Sequence, residues 1–164
     1  MEFVSIVIGS KNDYTVMKAC ADTLEAFGVQ YELIVSSAQR SPDRTKNYIL
    51  EAESKGAQCF IAAAGMAAHL AGALAATTVK PIIGVPMGGS DLSGVDALYS
   101  TVQMLAGMPV ATVAIGKAGA INSAYLAMQI LALSNQELAI KLKEDRVSKA
   151  KKVEMDSLEI ERKI

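Results

Sequence analysis

The side chains best suited to bind or transform a small molecule occur in three short polar stretches, each of which follows an apolar run. They are Ser10, Asn12 and Asp13 in the first stretch, Ser37, Gln39 and Arg40 in the second, and Gly65 with the only histidine, His69, in the third. Hydroxyl groups, a guanidinium and free loop amides suit a phosphate dianion, and a carboxylate can accept hydrogen bonds from a ribose diol. The three stretches therefore indicate a nucleotide-like or phosphoribosyl ligand.

Each of these residues also has a structural explanation when it is taken alone. Asp13 suits the N-cap of the following helix, and Arg40 suits a surface ion pair with Asp43. His69 stands among Gly and Ala residues that permit close helix packing, so it also suits a structural histidine. A binding site is favoured only if the fold brings the three stretches together.

The hydrophobic pattern predicts such a fold. Apolar runs predict strands at residues 4–8, 31–35, 59–63, 81–86 and 110–115, and helices at 13–27, 41–55, 95–104 and 118–133. A tight turn at Gly65 and the start of an Ala-rich helix at His69 are expected after the third strand. This alternation predicts an α/β, flavodoxin-like three-layer sandwich, with a five-stranded parallel sheet of order 2-1-3-4-5. In that order the loops after strands one to three meet at the switch point, where ligands bind.

Residues 134–164 are expected to form a charged C-terminal helix within a single domain spanning 1–164. The stretch from Ser134 to Glu137 matches a capping box that opens this helix. The tail is too polar to be buried in the domain, and its sparse apolar residues suit docking on a neighbouring subunit or an exposed helix about equally.

Composition argues against several classes of function. The 16 basic and 17 acidic side chains give a net charge of −1, which offers no electrostatic case for binding nucleic acid or an anionic membrane. Cys20 and Cys59 lie in apolar patterns and are expected to be reduced core residues. The N-terminus lacks a basic flank and a cleavage site, so we expect a soluble cytoplasmic protein. No Walker or Rossmann glycine pattern, metal-ligand cluster or Ser-His-Asp set is present.

Several motifs resemble those of the 5-(carboxyamino)imidazole ribonucleotide mutase family of purine biosynthesis. They are GSKND at 9–13, SAQRSP at 37–42, AGMAAHL at 64–70, GVP at 84–86, LYSTVQM at 98–104 and VATVAIG at 110–116. The resemblance spans about residues 3 to 133, and the AGMAAHL stretch is closer to the bacterial mutase type than to the carbon-dioxide-dependent carboxylase type.

The resemblance implies a flavodoxin-like subunit of a homo-octamer that needs no metal or cofactor. The implied reaction moves a carboxylate from the exocyclic amine of an aminoimidazole ribonucleotide to ring carbon 4, through decarboxylation and recapture of carbon dioxide. Ser10, Asp13 and Arg40 would bind the ribose phosphate, and His69 would support the carboxylate pocket. The substrate-binding set implied by the matched motifs also includes Asn12, Ser37, Ala64, Gly65, Met66 and Leu70.

Five positions depart from the family pattern: Asn12 stands where the family usually has Ser, and Ala71 and Leu105 stand where it often has Pro. These changes and that at Met66 are tolerable, whereas the change at Gln39 concerns the reaction. Met66 stands where the family often has Gly, and Gln39 stands where it has the histidine expected to shuttle a proton between the exocyclic nitrogen and carbon 4. A glutamine amide does not titrate near neutrality, and loss of a general acid-base typically costs about 100- to 10,000-fold in rate. We therefore expect an intact substrate site with strongly impaired turnover. His69 lies on a different loop and is not expected to take over the proton.

Two further classes of protein compete with this interpretation. The first is a non-catalytic homologue that binds a phosphoribosyl nucleotide and converts nothing. The second is a flavodoxin-like flavin carrier, which is disfavoured because the three loops offer no Trp and no well-placed Tyr for the flavin ring.

Overall fold

A five-stranded parallel sheet organises the chain, whose computed structural model describes every residue from Met1 to Ile164. The strands are β1 Phe3–Ile8, β2 Tyr31–Val35, β3 Ala57–Ala64, β4 Ile82–Pro86 and β5 Ala111–Thr112. They are hydrogen-bonded in the order β2-β1-β3-β4-β5, and every neighbouring pair is parallel. The predicted flavodoxin-like sheet order is confirmed.

The chain has six α-helices, of which the first five pack against the sheet and the sixth packs on the fifth. They are α1 Tyr14–Ala26, α2 Pro42–Lys55, α3 Leu70–Ala75, α4 Val95–Val102, α5 Lys117–Ala132 and α6 Gln136–Ile160. Ile6 of β1 packs with Met128 of α5 in one apolar cluster, and the next residue, Val7, packs with Ile49 of α2 in the other. Successive side chains of a strand point to opposite faces, so the central strands are buried on both sides. None of the helices combines the length and apolar character that crossing a bilayer needs.

The carboxyl ends of the first three strands lie side by side. At the end of β1, Ile8 is in register with Val35 of β2 on one side and with Ala63 of β3 on the other. The strand that follows β1 in sequence lies on one side of it, and β3 to β5 lie on the other side. The direction of strand addition therefore reverses at β1. The loops that leave the strands on either side of this switch point diverge and leave a crevice.

The fifth strand is much shorter than the predicted run at 110–115. Only Ala111–Thr112 forms a ladder with β4. The chain then stays beside β4 through two more bonds, from the N–H of Val113 to the carbonyl of Gly84 and from the N–H of Gly116 to the carbonyl of Pro86. An edge strand has a partner on one side only, so hydrophobicity alone does not fix how far a regular ladder extends.

The C-terminal tail contacts the domain through its first turns, and Leu138 is its only buried residue, as expected for so polar a segment. Asn135 rather than Ser134 caps α6, and its Oδ1 accepts the N–H of Leu138 at 3.1 Å. Leu138 is 4% exposed in the core beside α5, and Leu142 packs against the same cluster one turn later. Two leucines spaced by four residues lie on one side of the helix and pack its first turns against the domain, whereas the helix after residue 145 is almost entirely exposed.

Candidate active site

A cavity of about 700 Å³ opens at the carboxyl edge of the sheet, a volume within the range of small-molecule sites. All eleven residues predicted for the site line it: Ser10, Asn12, Asp13, Ser37, Gln39, Arg40, Ala64, Gly65, Met66, His69 and Leu70. The fold therefore brings the three polar stretches together, while the role of each residue stays a prediction.

The first loop presents the side chains of Ser10 and Asp13 to the cavity. Asp13 makes no capping hydrogen bond at the start of α1, so its predicted capping role is wrong. Instead, the Oγ of Ser10 accepts the N–H of Asn12 at 3.2 Å and caps a short 3-10 turn, Lys11–Asp13, ahead of the helix. Burial raises the pKa of Asp13 above its ordinary value, because it disfavours the charged carboxylate. A ligand hydroxyl that donates to this carboxylate would offset that cost.

Arg40 ties the second loop to the first. Its Nη2 donates to the carbonyl of Gly9 at 2.9 Å, and its Nε lies 3.5 Å from the Oγ of Ser37. Arg40 and Asp43 form no ion pair, so the surface-pair explanation does not hold. A guanidinium has five N–H donors, and these two contacts leave three of them without a protein acceptor. Free guanidinium donors at a cavity suit a phosphate or carboxylate.

The third loop turns at Met66 rather than at Gly65. Met66 has a φ of 56°, in the left-handed region, whereas Gly65 is not among the residues with positive φ. The backbone N–H groups of Gly65, Met66 and Ala67 have no acceptor within the chain. Successive free amides in a turn form a concave cradle for an anionic oxygen, so this loop suits a carboxylate or phosphate.

Gln39 and His69 join the second and third loops. The Nε2 of Gln39 lies 2.9 Å from the Nδ1 of His69 and 3.2 Å from the carbonyl oxygen of Ala67. His69 is the residue before α3, as expected, but its side chain makes no capping bond there. The residue at the position of the family's proton-shuttling histidine therefore contacts the histidine expected to support the carboxylate pocket.

A fourth loop also reaches the cavity, and sequence reasoning did not include it in the site. Met87 and Gly89, which follow β4, both line the cavity. The N–H of Met87 donates to the carbonyl of Ala64 at 2.9 Å and so holds this loop against the third. The glycine-rich stretch after the fourth strand could have indicated this loop, because β4 neighbours β3 in the predicted strand order and their following loops are therefore adjacent.

The strained backbone at Met66 gives a stability prediction. A left-handed conformation lowers the free energy of unfolding by roughly 1–2 kcal/mol for a residue with a Cβ, and glycine avoids this cost. Glycine also loses more backbone entropy on folding, which offsets about 0.5–1 kcal/mol of that gain. Because Met66 is 67% exposed, its side chain contributes little burial. We expect Met66→Gly to unfold with a free energy about 0.5–1 kcal/mol higher than Met66→Ala, measured by urea denaturation.

The matched control for this comparison is Ala19→Gly in the right-handed helix α1. There glycine should lower the free energy of unfolding, by about 1 kcal/mol. If glycine were destabilising relative to alanine at position 66 as well, the left-handed conformation would not be a source of strain.

Comparison with known proteins identifies the family. The family model described as AIR carboxylase matches residues 3–152. The chain belongs to the AIR carboxylase family. It is 48% identical over 150 residues to the N5-carboxyaminoimidazole ribonucleotide mutase of Escherichia coli K12. The aligned residues cover 92% of this chain and 89% of that protein. The corresponding mutase of Pseudomonas aeruginosa is 47% identical over 150 residues, with 92% of each chain covered.

Solved structures agree with this assignment to the AIR carboxylase family. The crystal structure of Treponema denticola PurE superposes with a TM-score of 0.89 at 26% identity and covers 99% of this chain and 100% of that one. The family resemblance and the flavodoxin-like fold predicted from the sequence are both confirmed. The family model ends at residue 152, so the distal end of α6 lies beyond the matched region.

Proposed function

We propose that this AIR carboxylase family member is an isomerase of purine biosynthesis that converts N5-carboxyaminoimidazole ribonucleotide to 4-carboxy-5-aminoimidazole ribonucleotide. Relatives that are 47% and 48% identical over 92% of the chain bear the name of this mutase. The observation that carries the proposal is that all eleven residues singled out from the sequence line one cavity. The family match supports the reaction class, and this cavity offers groups suited to binding each part of the substrate.

The groups of the cavity divide according to the parts of the substrate. The three free N–H donors of Arg40 and the hydroxyl of Ser10 suit the phosphate, and Asp13 suits the ribose hydroxyls. The unpaired loop amides from Gly65 to Ala67 suit the carboxylate. Each charged part of the substrate thereby meets donors that the protein itself leaves unused.

The proposed reaction breaks two bonds, N–C and ring C–H, and forms two, N–H and ring C–C. Cleavage of the carbamate N–C bond releases carbon dioxide, and the exocyclic nitrogen gains a proton. Ring carbon 4 then attacks the carbon dioxide, and that carbon loses its proton, so the isomerisation is balanced overall. The protein must keep the carbon dioxide from escaping and must move one proton between nitrogen and carbon.

Gln39 is the residue of this chain that should slow the proposed reaction. It occupies the position of the family's histidine, yet its amide neither gives up nor takes a proton near neutral pH. The groups proposed for the phosphate and the ribose, on Ser10, Asp13 and Arg40, make no hydrogen bond to Gln39. We therefore propose that the chain binds its nucleotide and turns it over slowly.

Calorimetric titration with 4-carboxy-5-aminoimidazole ribonucleotide tests the binding part of the proposal directly. Saturable binding at one site per chain is expected, and absence of binding would contradict the proposal. The alternative, a non-catalytic phosphoribosyl-nucleotide-binding homologue, predicts the same titration and is separated from the isomerase by the variant described in the Discussion.

We further propose that the chain works as a homo-oligomer, an octamer by the family resemblance, in the cytoplasm. Large apolar side chains stand exposed on and after α4, with Tyr99 at 66% and Leu105 at 68%, and on the distal part of α6, with Leu158 at 74%. Such surfaces are typical of protein contacts, and an isolated helical projection is marginal in water. Static light scattering at micromolar concentration should report a mass several times 17.3 kDa. A monomer there would contradict the assembly.

A further inference from the structure

The contact between Gln39 and His69 determines which nitrogen of the imidazole carries the proton. The Nε2 of Gln39 lies 3.2 Å from the carbonyl oxygen of Ala67 and 2.9 Å from the Nδ1 of His69. A carbonyl oxygen only accepts hydrogen bonds, so the atom that faces Ala67 must be the amide nitrogen and not the amide oxygen. The Ala67 carbonyl therefore sets the orientation of the Gln39 amide.

An amide nitrogen donates two hydrogen bonds and accepts none. One of its hydrogens serves Ala67, and the other points to the Nδ1 of His69. Nδ1 must then act as the acceptor, which requires that it be unprotonated. In a neutral imidazole the single proton consequently resides on Nε2, and this nitrogen has no partner within the protein.

We infer that Gln39 is a positioning residue that fixes His69 in the Nε2–H tautomer, so that His69 donates a hydrogen bond to the carboxylate of the bound nucleotide. The carboxylate part of this inference rests on the proposed function. Three features place the donor there: His69 lines the cavity, its Nε2 is free, and its neighbours from Gly65 to Ala67 also present free N–H groups. His69 then acts as one more donor in the same cradle.

The fixed tautomer also explains why His69 does not replace the missing histidine. A base that takes a proton from the ligand needs a lone pair facing the cavity, but the lone pair of His69 is directed at Gln39. Protonation of Nδ1 would set an N–H against the N–H of the amide, which disrupts their contact. Neither member of the pair therefore offers a base to ring carbon 4.

The tautomer can be measured directly because His69 is the only histidine of the chain. In protein labelled with ¹⁵N-histidine, at alkaline pH and without ligand, we expect an unprotonated-type signal for Nδ1 and a protonated-type signal for Nε2. Gln39→Leu should move both signals toward the averaged values of exchanging tautomers. Gln39→Glu, whose carboxylate accepts, should shift the proton to Nδ1.

The control is Gln30→Leu, the same change at an exposed position before β2, at the opposite edge of the sheet. It should leave both nitrogen signals unchanged. Averaged signals in the unsubstituted chain, or signals that Gln39→Leu does not move, would overturn the assignment of the tautomer.

Two nucleotides test the carboxylate contact. The Nε2–H signal should shift when 4-carboxy-5-aminoimidazole ribonucleotide binds and should stay in place when 5-aminoimidazole ribonucleotide, which keeps the phosphate but lacks the carboxylate, binds. Equal shifts would assign the donor to another part of the ligand and overturn the contact. Failure of both to bind would overturn the proposed function and with it the carboxylate contact, while the ligand-free tautomer stands as a separate result.

Discussion

Replacing Gln39 with histidine should raise the rate constant of carboxylate transfer by about 100- to 10,000-fold, the range that a general acid-base typically contributes. The reaction moves one proton from carbon to nitrogen, and an imidazole titrates near neutral pH whereas an amide does not. Position 39 lies in the cavity, and its side chain contacts the third loop. The gain should appear in kcat, with KM changed only a few-fold, because the phosphate and ribose contacts lie elsewhere.

The measurement is the initial rate of conversion of N5-carboxyaminoimidazole ribonucleotide, paired with calorimetric binding for each protein. Gln39→Asn is the control, since it replaces one non-titrating amide with another and should gain nothing. Equal rates for the unsubstituted chain and the histidine variant would show that position 39 is not the proton shuttle. A variant that binds the nucleotide but stays inactive would favour the non-catalytic homologue.

The parts of the fold that the sequence predicted well are those where buried area dictates structure. A strand buried on both faces, such as β1, has a continuous apolar sequence. The ends of α2 are marked by Pro42 at its first position and by Gly56 directly after its last residue. The length of the edge strand β5 and the docking of α6 were harder to predict, because each depends on tertiary contacts made by one side of the element. Leu138 is buried by its spacing from Leu142 and by the position of α5, which no local pattern reveals.

Three of the four loops that line the cavity were predictable from the sequence, whereas the fourth loop and the geometry inside the cavity were not. Residue types in loops after adjacent strands pointed to one crevice, since the sheet order fixes which loops are neighbours. The left-handed turn at Met66 was assigned to Gly65, because glycine is the residue that adopts such a φ most readily. The contact between Gln39 and His69 joins residues 30 positions apart and depends on side-chain rotamers, so no spacing rule could supply it.

Replacing Arg40 with methionine should weaken binding of the ribonucleotide about 10- to 150-fold. Hydrogen bonds to charged groups contribute about 1.5–3 kcal/mol, and about 1.4 kcal/mol corresponds to a factor of ten in affinity. Three guanidinium N–H groups of Arg40 are free to meet a phosphate, and methionine keeps much of the side-chain length while removing all of them. Calorimetry with 4-carboxy-5-aminoimidazole ribonucleotide measures the change.

Arg40 also tethers two loops through its bond to the carbonyl of Gly9, so a loss of affinity could arise from either role. The nucleoside that lacks the phosphate separates them: a phosphate ligand predicts that Arg40→Met weakens the nucleotide and leaves the nucleoside almost unaffected. A tether predicts equal losses for both, and that outcome would contradict the phosphate assignment. Arg44→Met is the matched control, because Arg44 donates only to the carbonyl of Val35, at 3.4 Å, and does not line the cavity. The nucleotide loss should also shrink as ionic strength rises, since salt screens an exposed guanidinium from a dianion but leaves the bond to Gly9 in place.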